Sequence, residues 1–214
     1  MNIIKPKKLI LSNLRKIDSL INVIKPNEEL ENILIENCIE SNVNVTDIEI
    51  EKAIFNNVEI SNGMLENNSF TDIQFNNCNF SNTSFDNSCF IRCEFNNCKL
   101  TGCNLSEGRL YNIFFNESNI NYANFAITSI ENVLFDNSNL KSSSFQENRL
   151  KNLYFNKSDL TQVQFFNTKL KGIDLSNSNI ENMVISIEDI KDAIVNKLQV
   201  LDLAYLLGVK VKDI

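Results

Sequence analysis

The sequence contains no histidine and no tryptophan, and it has only five glycines and two prolines in 214 residues. Histidine is the commonest general base in enzymes and the commonest metal ligand, so its absence argues against an acid–base enzyme or a histidine-built metal site. No run of eighteen apolar residues occurs, and no membrane span is therefore predicted. Basic residues interrupt the first twenty positions and no small-residue cleavage site follows, so no export signal is predicted.

The six cysteines occur in a chain without a predicted export signal, where thiols are typically reduced. Cys78, Cys93, Cys98 and Cys103 are spaced by multiples of five, whereas zinc sites favour spacings of two to four residues. We therefore expect these four to pack in the core as small apolar side chains. The expected location is cytoplasmic, and neither a cofactor nor a metal is expected.

A period of five residues is the main pattern in the sequence. Every fifth residue from Val45 to Ile185 is Val, Ile, Leu or Phe, and thirteen of the fifteen phenylalanines lie in this register. Two residues before each of these positions a second set recurs, mostly of small residues, and the other three positions are mainly polar. A period of five fits neither an α-helix nor a β-strand. It predicts a coil that turns one corner in every five residues.

Three segments carry a family resemblance: NNCNFSNTSF (76–85), NESNINYANF (116–125) and NKSDLTQVQF (156–165). They resemble the pentapeptide-repeat motif, Ala-Asp/Asn-Leu-x-x, and the resemblance covers roughly residues 30–185. It implies an all-β solenoid, namely a right-handed quadrilateral β-helix with four pentapeptides in each coil. The chain is similar to the Qnr and MfpA (quinolone-resistance) group and to related pentapeptide-repeat proteins of low-GC bacteria.

A super-period of twenty residues supports the four-sided coil. Phe55 begins a column of phenylalanines that recur every twenty residues through Phe155, and small residues predominate on the opposite side of the coil. Large side chains facing small ones fill a narrow core. Seven coils at about 4.8 Å each would make a rod about 34 Å long. Asparagine tolerates tight turns, and the predicted corner asparagines are Asn76, Asn77, Asn96, Asn97, Asn116 and Asn156.

Three segments are predicted along the chain: an N-terminal cap (1–29), a β-helix of about eight coils (30–185), and a C-terminal helical cap and dimerisation segment (186–214). Apolar residues at helical spacing predict an amphipathic helix over about 8–24 that covers the first coil. The basic residues of this segment leave open a membrane-surface helix instead. Glu40 stands where the repeat would place an apolar residue, so the first coil is expected to be irregular.

The C-terminal segment begins with Ser186-Ile187-Glu188-Asp189, which has the S-x-x-D form of a helix start, and Gly208 is a good helix stop. The tail resembles those of Qnr-type proteins, which end in an apolar helix and dimerise there. A homodimer is therefore expected, with simple capping of the last coil as the alternative. The predicted interface comprises Ile187, Ile190, Ile194, Leu198, Leu201, Leu203, Leu206 and Leu207.

Two features of the exterior are candidate binding surfaces. The net charge of −7 is uneven, because residues 1–26 carry +5 and residues 27–110 carry −10. An outward apolar stripe is predicted at Phe114, Leu134 and Tyr154, which is either an interaction site or is covered by a terminal segment. The predicted acidic surface comprises Glu49, Glu51, Glu59, Glu66, Asp72, Asp86 and Glu94.

The family resemblance implies a non-catalytic protein-binding rod rather than an enzyme. Proteins of the Qnr and MfpA type bind DNA gyrase or topoisomerase IV, and their acidic rods imitate duplex DNA in a basic groove. Residues 111–185 depart from that pattern because their net charge is only −1. The alternatives are a generic protein-interaction scaffold with an unknown partner and a membrane-peripheral protein that uses the basic N-terminal segment. Direct nucleic-acid binding is not expected.

Overall fold

The computed structural model describes residues 3–20, 29–40, 43–209 and 212. The strands are β1 (Arg15–Ile17), β2 (Glu29–Glu36), β3 (Ile39–Glu40), β4 (Glu49–Asn56), β5 (Glu59–Ile60), β6 (Ser69–Asn76), β7 (Cys89–Asn96), β8 (Arg109–Asn116), β9 (Ser129–Asp136), β10 (Ser144–Gln146), β11 (Arg149–Asn156), β12 (Gln164–Phe166) and β13 (Val184–Ile185). The helices are α1 (Ile187–Ile190) and α2 (Gln199–Asp202), and two 3-10 turns cover Leu11–Asn13 and Ala204–Leu207.

All strand pairs in the described residues are parallel, and from β2 onward paired residues lie twenty positions apart in the sequence. An eight-stranded sheet in the order β1-β2-β4-β6-β7-β8-β9-β11 covers two adjacent sides of the coil, because each of its long strands turns a corner at its fourth residue, such as Lys52 in β4 or Asn112 in β8. Smaller ladders form the other sides. Twenty residues therefore make one coil of four pentapeptides. The predicted fold class, a right-handed quadrilateral β-helix, is confirmed.

The two apolar registers fill the interior. Phe75 and Phe95 stack with their ring centroids 4.7 Å apart, and Phe115 and Phe135 stack at the same distance. This distance matches the spacing of adjacent strands, so the rings can stack while the strands of successive coils keep their hydrogen bonds. Each fully buried phenylalanine contributes roughly 2–3 kcal/mol through apolar burial.

The corners of the coil are residues with left-handed backbone conformation, and they recur every five positions. Asn77 and Asn97, two of the predicted corner residues, have φ values of 54° and 52°. The other four predicted corner asparagines instead end strands, because each lies one residue before a corner. Their side chains can then bond from coil to coil: Asn76 Nδ2 donates to Asn56 Oδ1 (2.9 Å) and Asn96 Nδ2 to Asn76 Oδ1 (3.0 Å).

Small hydroxyl side chains of the second inward register complete the backbone hydrogen bonding. Ser118 Oγ donates to the carbonyl of Phe95 (3.0 Å) and accepts the N–H of Cys98 (3.1 Å). Ser138 makes the same pair of bonds one coil later, to Phe115 and Ser118. Buried backbone groups that do not pair directly between coils are therefore bonded through serine. This role explains why polar residues recur inside an apolar core.

The predicted helix over 8–24 is wrong for the part of it that the structure describes. Residues 11–13 form a single 3-10 turn, and β1 then pairs with β2 at the edge of the large sheet. Strand pairing satisfies the exposed backbone groups of β2, which a helix lying across the coil would leave without partners. Residues 21–24 of the predicted helix lie outside the described residues.

Glu40 interrupts the apolar register because it closes the N-terminal end of the coil. Its side chain is only 5% exposed, and its carboxylate accepts the N–H of Leu20 and the hydroxyl of Ser19 (3.1 Å to the latter). A buried carboxylate at this position bonds donors that have no further coil to pair with. β1 pairs with β2 at an offset of eighteen residues rather than twenty, so the expected irregularity of the first coil also appears in its register.

The solenoid continues past the predicted boundary at residue 185. Gly172 N–H donates to Asp192 O and Ile194 N–H donates to Ile173 O, both at 2.9 Å. The predicted helix start is confirmed: Ser186 Oγ accepts the Asp189 N–H at 3.0 Å. However, α1 is only one turn long, because the chain resumes the coil after it. Gly208 ends the last 3-10 turn with a φ of 68°, as predicted.

Two polar side chains close the C-terminal end of the rod. Gln199 is 4% exposed, and its Nε2 donates to the carbonyls of Leu175 (2.8 Å) and Ser178 (2.7 Å). The Tyr205 hydroxyl donates to the carbonyl of Met183 at 2.5 Å. These bonds satisfy carbonyl groups that would otherwise point away from the last coil without a donor.

Candidate binding surfaces

The cysteines lie in the core, where the sequence predicts them. Cys78, Cys93, Cys98 and Cys103 are buried, and all six cysteines are free thiols. Burial raises the pKa of the Cys93 and Cys103 thiols to about 12. Within the described residues, no group of three or more His, Cys, Asp or Glu side chains is placed to hold a metal ion.

None of the helices described is long and apolar enough to cross a membrane. The core is filled by the side chains of the two inward registers. The candidate functional residues consequently lie on the sides and at the ends of the rod.

The predicted acidic surface does not form a single strip. Glu49 and Glu51 lie on the eight-stranded sheet and Glu59 lies on the neighbouring ladder. Glu66 and Asp86 lie one coil apart on another side, where they accept hydrogen bonds from serine hydroxyls at 2.7 Å and 2.5 Å. These acidic side chains therefore face different directions around the rod.

Asp72 points outward but is fully buried, so its predicted place on the exposed acidic surface is wrong. Arg92 donates to both carboxylate oxygens, Nε to Oδ1 at 2.6 Å and Nη2 to Oδ2 at 2.7 Å, and the Lys7 N–H donates to Oδ1 at 3.1 Å. Burial raises the pKa of Asp72, but the hydrogen bonds from Arg92 and Lys7 outweigh it, and the pKa is lowered overall. The sequence register indicates an outward direction correctly but does not reveal what covers the residue.

The cover is the N-terminal segment 3–8, which we call the strap. It crosses the eight-stranded sheet, and the Ile4 N–H donates to Asn112 Oδ1 at 3.2 Å. Lys5 Nζ lies 3.1 Å from the Glu94 carboxylate and 5.0 Å from the centre of the Phe114 ring. Lys7 Nζ lies 3.5 Å from Asp72. The basic strap thus neutralises part of the predicted acidic surface.

The predicted apolar stripe is present on three neighbouring strands. Phe114, Leu134 and Tyr154 are half-buried, and the paired register places them one above the other. The strap reaches only the Phe114 end of the stripe. Leu134 and Tyr154 line an open groove together with Asp136. The stripe is therefore covered at Phe114 and open at Leu134 and Tyr154, so each of the two expectations holds for a part of it.

The C-terminal end exposes most of the predicted dimer interface. Ile187, Ile194, Leu198, Leu201 and Leu207 are exposed, with Leu198 at 76% and Leu207 at 73%. The three remaining predicted interface residues, Ile190, Leu203 and Leu206, instead pack against the core as part of the cap. Sequence reasoning missed further exposed apolar residues that extend this surface: Phe166, Val184, Val200, Tyr205 and Val209.

The face of the eight-stranded sheet that carries Glu49 and Glu51 is acidic at its N-terminal end and basic at its C-terminal end. The strand register places Arg149 in line with Glu49 and Lys151 in line with Glu51, five coils apart. Further exposed basic residues follow in the next coils: Lys169, Lys171 and Lys191. The summed charge of the sequence concealed this basic end, because acidic residues in the same stretch cancel it. Two of them lie beside its lysines, since Lys151 pairs with Glu131 at 2.6 Å and Lys171 with Asp192 at 3.5 Å.

A family model described as a pentapeptide repeat region matches residues 68–145 and 88–165. These residues coincide with the regular coils described above. The chain contains a pentapeptide repeat region that spans residues 68–165.

Solved structures of two pentapeptide-repeat proteins are similar to this chain. HetL, a pentapeptide repeat protein involved in heterocyst differentiation regulation from the cyanobacterium Nostoc sp. strain PCC 7120, is 15% identical over 79% of this chain and 85% of its own, with a TM-score of 0.50. Full-length QnrB1, a plasmid-mediated fluoroquinolone resistance protein, is 21% identical over 91% of this chain and 95% of its own, with a TM-score of 0.42. The likeness to HetL shows the fold alone. No curated protein matches the chain.

Proposed function

We propose that this pentapeptide-repeat protein is a non-catalytic binding rod that forms a homodimer through its C-terminal end and presents its sides to protein partners. The observation that carries the proposal is the concentration of exposed apolar side chains at one end of the rod. Of the described large apolar residues that are at least 40% exposed, ten lie between Phe166 and Val209. Contiguous apolar surface of this kind marks protein interfaces.

The shape of the surface favours a second copy as its occupant. Exposed apolar residues lie both on the end cap, at Leu198 and Leu207, and on the last coils, at Phe166, Val184 and Ile187. A two-fold interface brings the same patch of both copies together, so one apolar patch is sufficient for it. Such a dimer would double the length of the rod.

The mass in solution tests the dimer. Light scattering after size exclusion at micromolar concentration is expected to give about twice the chain mass of 24.5 kDa for the wild type. Leu198→Lys combined with Leu201→Lys should give the monomer mass. Ile39→Lys is the matched control, since Ile39 is 79% exposed but lies at the other end of the rod. A monomeric wild type would refute the proposal.

Binding of DNA gyrase or topoisomerase IV as a mimic of duplex DNA is the second candidate. It is supported by the rod shape and by the acidic side chains on the first strands of the large sheet, including Glu29, Glu31 and Glu49. A basic groove that binds phosphates also attracts an acidic rod. The basic end of the same side restricts this contact to the N-terminal half of the rod.

A supercoiling assay with gyrase, with and without a quinolone, tests the second candidate. Inhibition or protection should increase with protein concentration, and Glu29→Lys with Glu49→Lys should weaken it. Glu147→Lys, an exposed corner residue on another side, serves as the control. If the protein neither inhibits gyrase nor protects it from the quinolone, this candidate is rejected and a scaffold for other protein partners remains.

A cytoplasmic site of action belongs to the same proposal. Six free thiols, four of them in the core, support a reducing compartment. Thiol labelling of the protein immediately after cell lysis in acid should find all six reduced, and disulfides would contradict this part of the proposal.

A further inference from the structure

We propose that the groove under the strap is a docking site for an extended lysine-containing segment of a partner protein, and that the strap is its occupant in cis. The groove is formed by Glu51, Asp72, Glu94, Asn112 and Phe114 on four successive strands. The inference deepens the proposed function, because it rests on the sides of the rod being its binding surfaces and names the kind of segment that one side accepts.

The backbone geometry of the strap fits the spacing of the coils. Ile4 and Lys7 both donate their N–H groups to outward side-chain oxygens, those of Asn112 and Asp72, which occupy the same position two coils apart. Three extended residues span about 10 Å, and two coils span about 9.6 Å. An extended chain crossing this side therefore meets an acceptor every third residue, and this holds for any extended sequence.

The side chains of the groove select lysine at two positions. Lys5 lies between the Glu94 carboxylate and the face of the Phe114 ring, an arrangement that combines an ion pair with a cation–π contact. Two residues later, Lys7 lies within 3.9 Å of Glu51 and 3.5 Å of Asp72. Pro6 between them favours extended backbone. The matching ligand is an extended Lys-x-Lys segment.

The Asp72 carboxylate of the groove is held independently of the strap, and Asn112 beside it has an unused donor. Arg92 holds both oxygens of Asp72, so this carboxylate keeps its shape and partner when Lys7 leaves. Asn112 is fully buried, and its Nδ2 has no hydrogen-bond partner in the structure although its Oδ1 binds the strap. An unused buried donor beside the bound backbone is available to the carbonyl of a ligand.

The strap itself is held weakly. The side chains of Lys5 and Lys7 are 69% and 58% exposed, and exposed ion pairs contribute little stability. Ile4 is also exposed, so it anchors no apolar contact in the core. A competing segment has to replace these ion pairs and the two backbone hydrogen bonds to Asn112 and Asp72.

A longer partner segment would gain contacts that the strap does not make. The same column of outward positions continues from Asn112 to Asn132 and Asn152, beside Leu134 and Tyr154 in the open groove. Burial of these two apolar side chains would favour the partner over the strap.

The test uses a fluorescent peptide of sequence Ile-Ile-Lys-Pro-Lys-Lys, which copies the strap, and the full-length protein. Lys5→Glu with Lys7→Glu releases the strap, so this variant should bind the peptide at least about tenfold tighter than the wild type. Lys169→Glu with Lys171→Glu changes two exposed lysines far from the groove and should bind the peptide as the wild type does. A peptide with glutamate in place of the two lysines that correspond to Lys5 and Lys7 should not bind.

Substitutions in the groove complete the test. Adding Glu51→Gln and Glu94→Gln to the strap-released variant should abolish peptide binding, while circular dichroism and melting remain those of a folded coil. Absence of saturable peptide binding by the strap-released variant would overturn the inference. Peptide binding with the same affinity after the groove substitutions would also overturn it. A dimer that forms by exchange of straps would assign the groove to a second copy and also overturn it. Light scattering of the same samples reports the C-terminal dimer separately, so failure of the groove and failure of the proposed function are distinguished.

Discussion

At the scale of single residues, the corners of the coil determine which side chains the sequence tolerates. The left-handed conformation suits asparagine and glycine, and it is costly for branched side chains. Ile127 nevertheless adopts it with a φ of 60°, as does Tyr122. Both side chains are more than half exposed, so burial does not compensate for the strain at either position.

Replacing Ile127 with asparagine should therefore stabilise the protein by about 1 kcal/mol, because it relieves left-handed strain at an exposed site. Urea unfolding of wild type and variant measures the change. Asn97→Ile is the reverse substitution at an exposed corner with a φ of 52°, and it should destabilise by a similar amount. Equal stabilities of all three proteins would contradict this account of the corners.

Asp72 gives the protein a stability that depends on pH. Its pKa is lower in the folded protein because of Arg92 and Lys7, so its carboxylate stabilises the fold above the unfolded pKa of about 3.9. That contribution is lost as the pH falls through the folded pKa. The free energy of unfolding should drop below about pH 4, and the drop should be smaller in Asp72→Asn.

Asp18→Asn, a substitution at an exposed aspartate, is the control for this pH profile and should retain the drop seen in the wild type. Identical profiles for Asp72→Asn and the wild type would show that the buried pair with Arg92 does not produce the dependence.

The residue register could be predicted from the sequence, because each inward position repeats with an unbroken period. The partners of outward residues could not. Lys5 and Glu94 are 89 positions apart, and no periodicity connects the strap to the coil that it crosses. Asp72 was consequently assigned to the open surface.

At the scale of elements, buried polar side chains help to close both ends of the rod. Glu40 accepts donors at the first end, and Gln199 donates to carbonyls at the last. Each belongs to a segment without five-residue periodicity, so pattern reasoning located the caps but assigned their contacts to apolar helices. The edge of a parallel coil presents backbone groups, and these groups require polar partners.

Gln199→Leu should destabilise the protein by about 2 kcal/mol, because it leaves the buried carbonyls of Leu175 and Ser178 without donors. Hydrogen exchange should show faster opening of the last coils, and urea unfolding should show the loss of stability. Gln146→Leu, the same substitution at an exposed position, should have little effect. A Gln199 variant as stable as this control would contradict the proposed closure of the end.

At the scale of the whole molecule, twenty-residue coils convert a linear sequence into columns, and each side acquires its own chemistry. The large sheet changes from Glu49 and Glu51 at one end to Arg149 and Lys151 at the other. The chain-averaged charge is therefore a poor guide to what any side binds. The acidic half, the strap and the exposed C-terminal end are three separate surfaces of one rod.

The measurement that tests the central claim most directly is small-angle X-ray scattering of the wild type at micromolar concentration, compared with Leu198→Lys combined with Leu201→Lys. A rod joined end to end with a second copy should have a maximum dimension about twice that of the variant, with an unchanged cross-section. Equal dimensions, or a compact particle in either sample, would contradict the account.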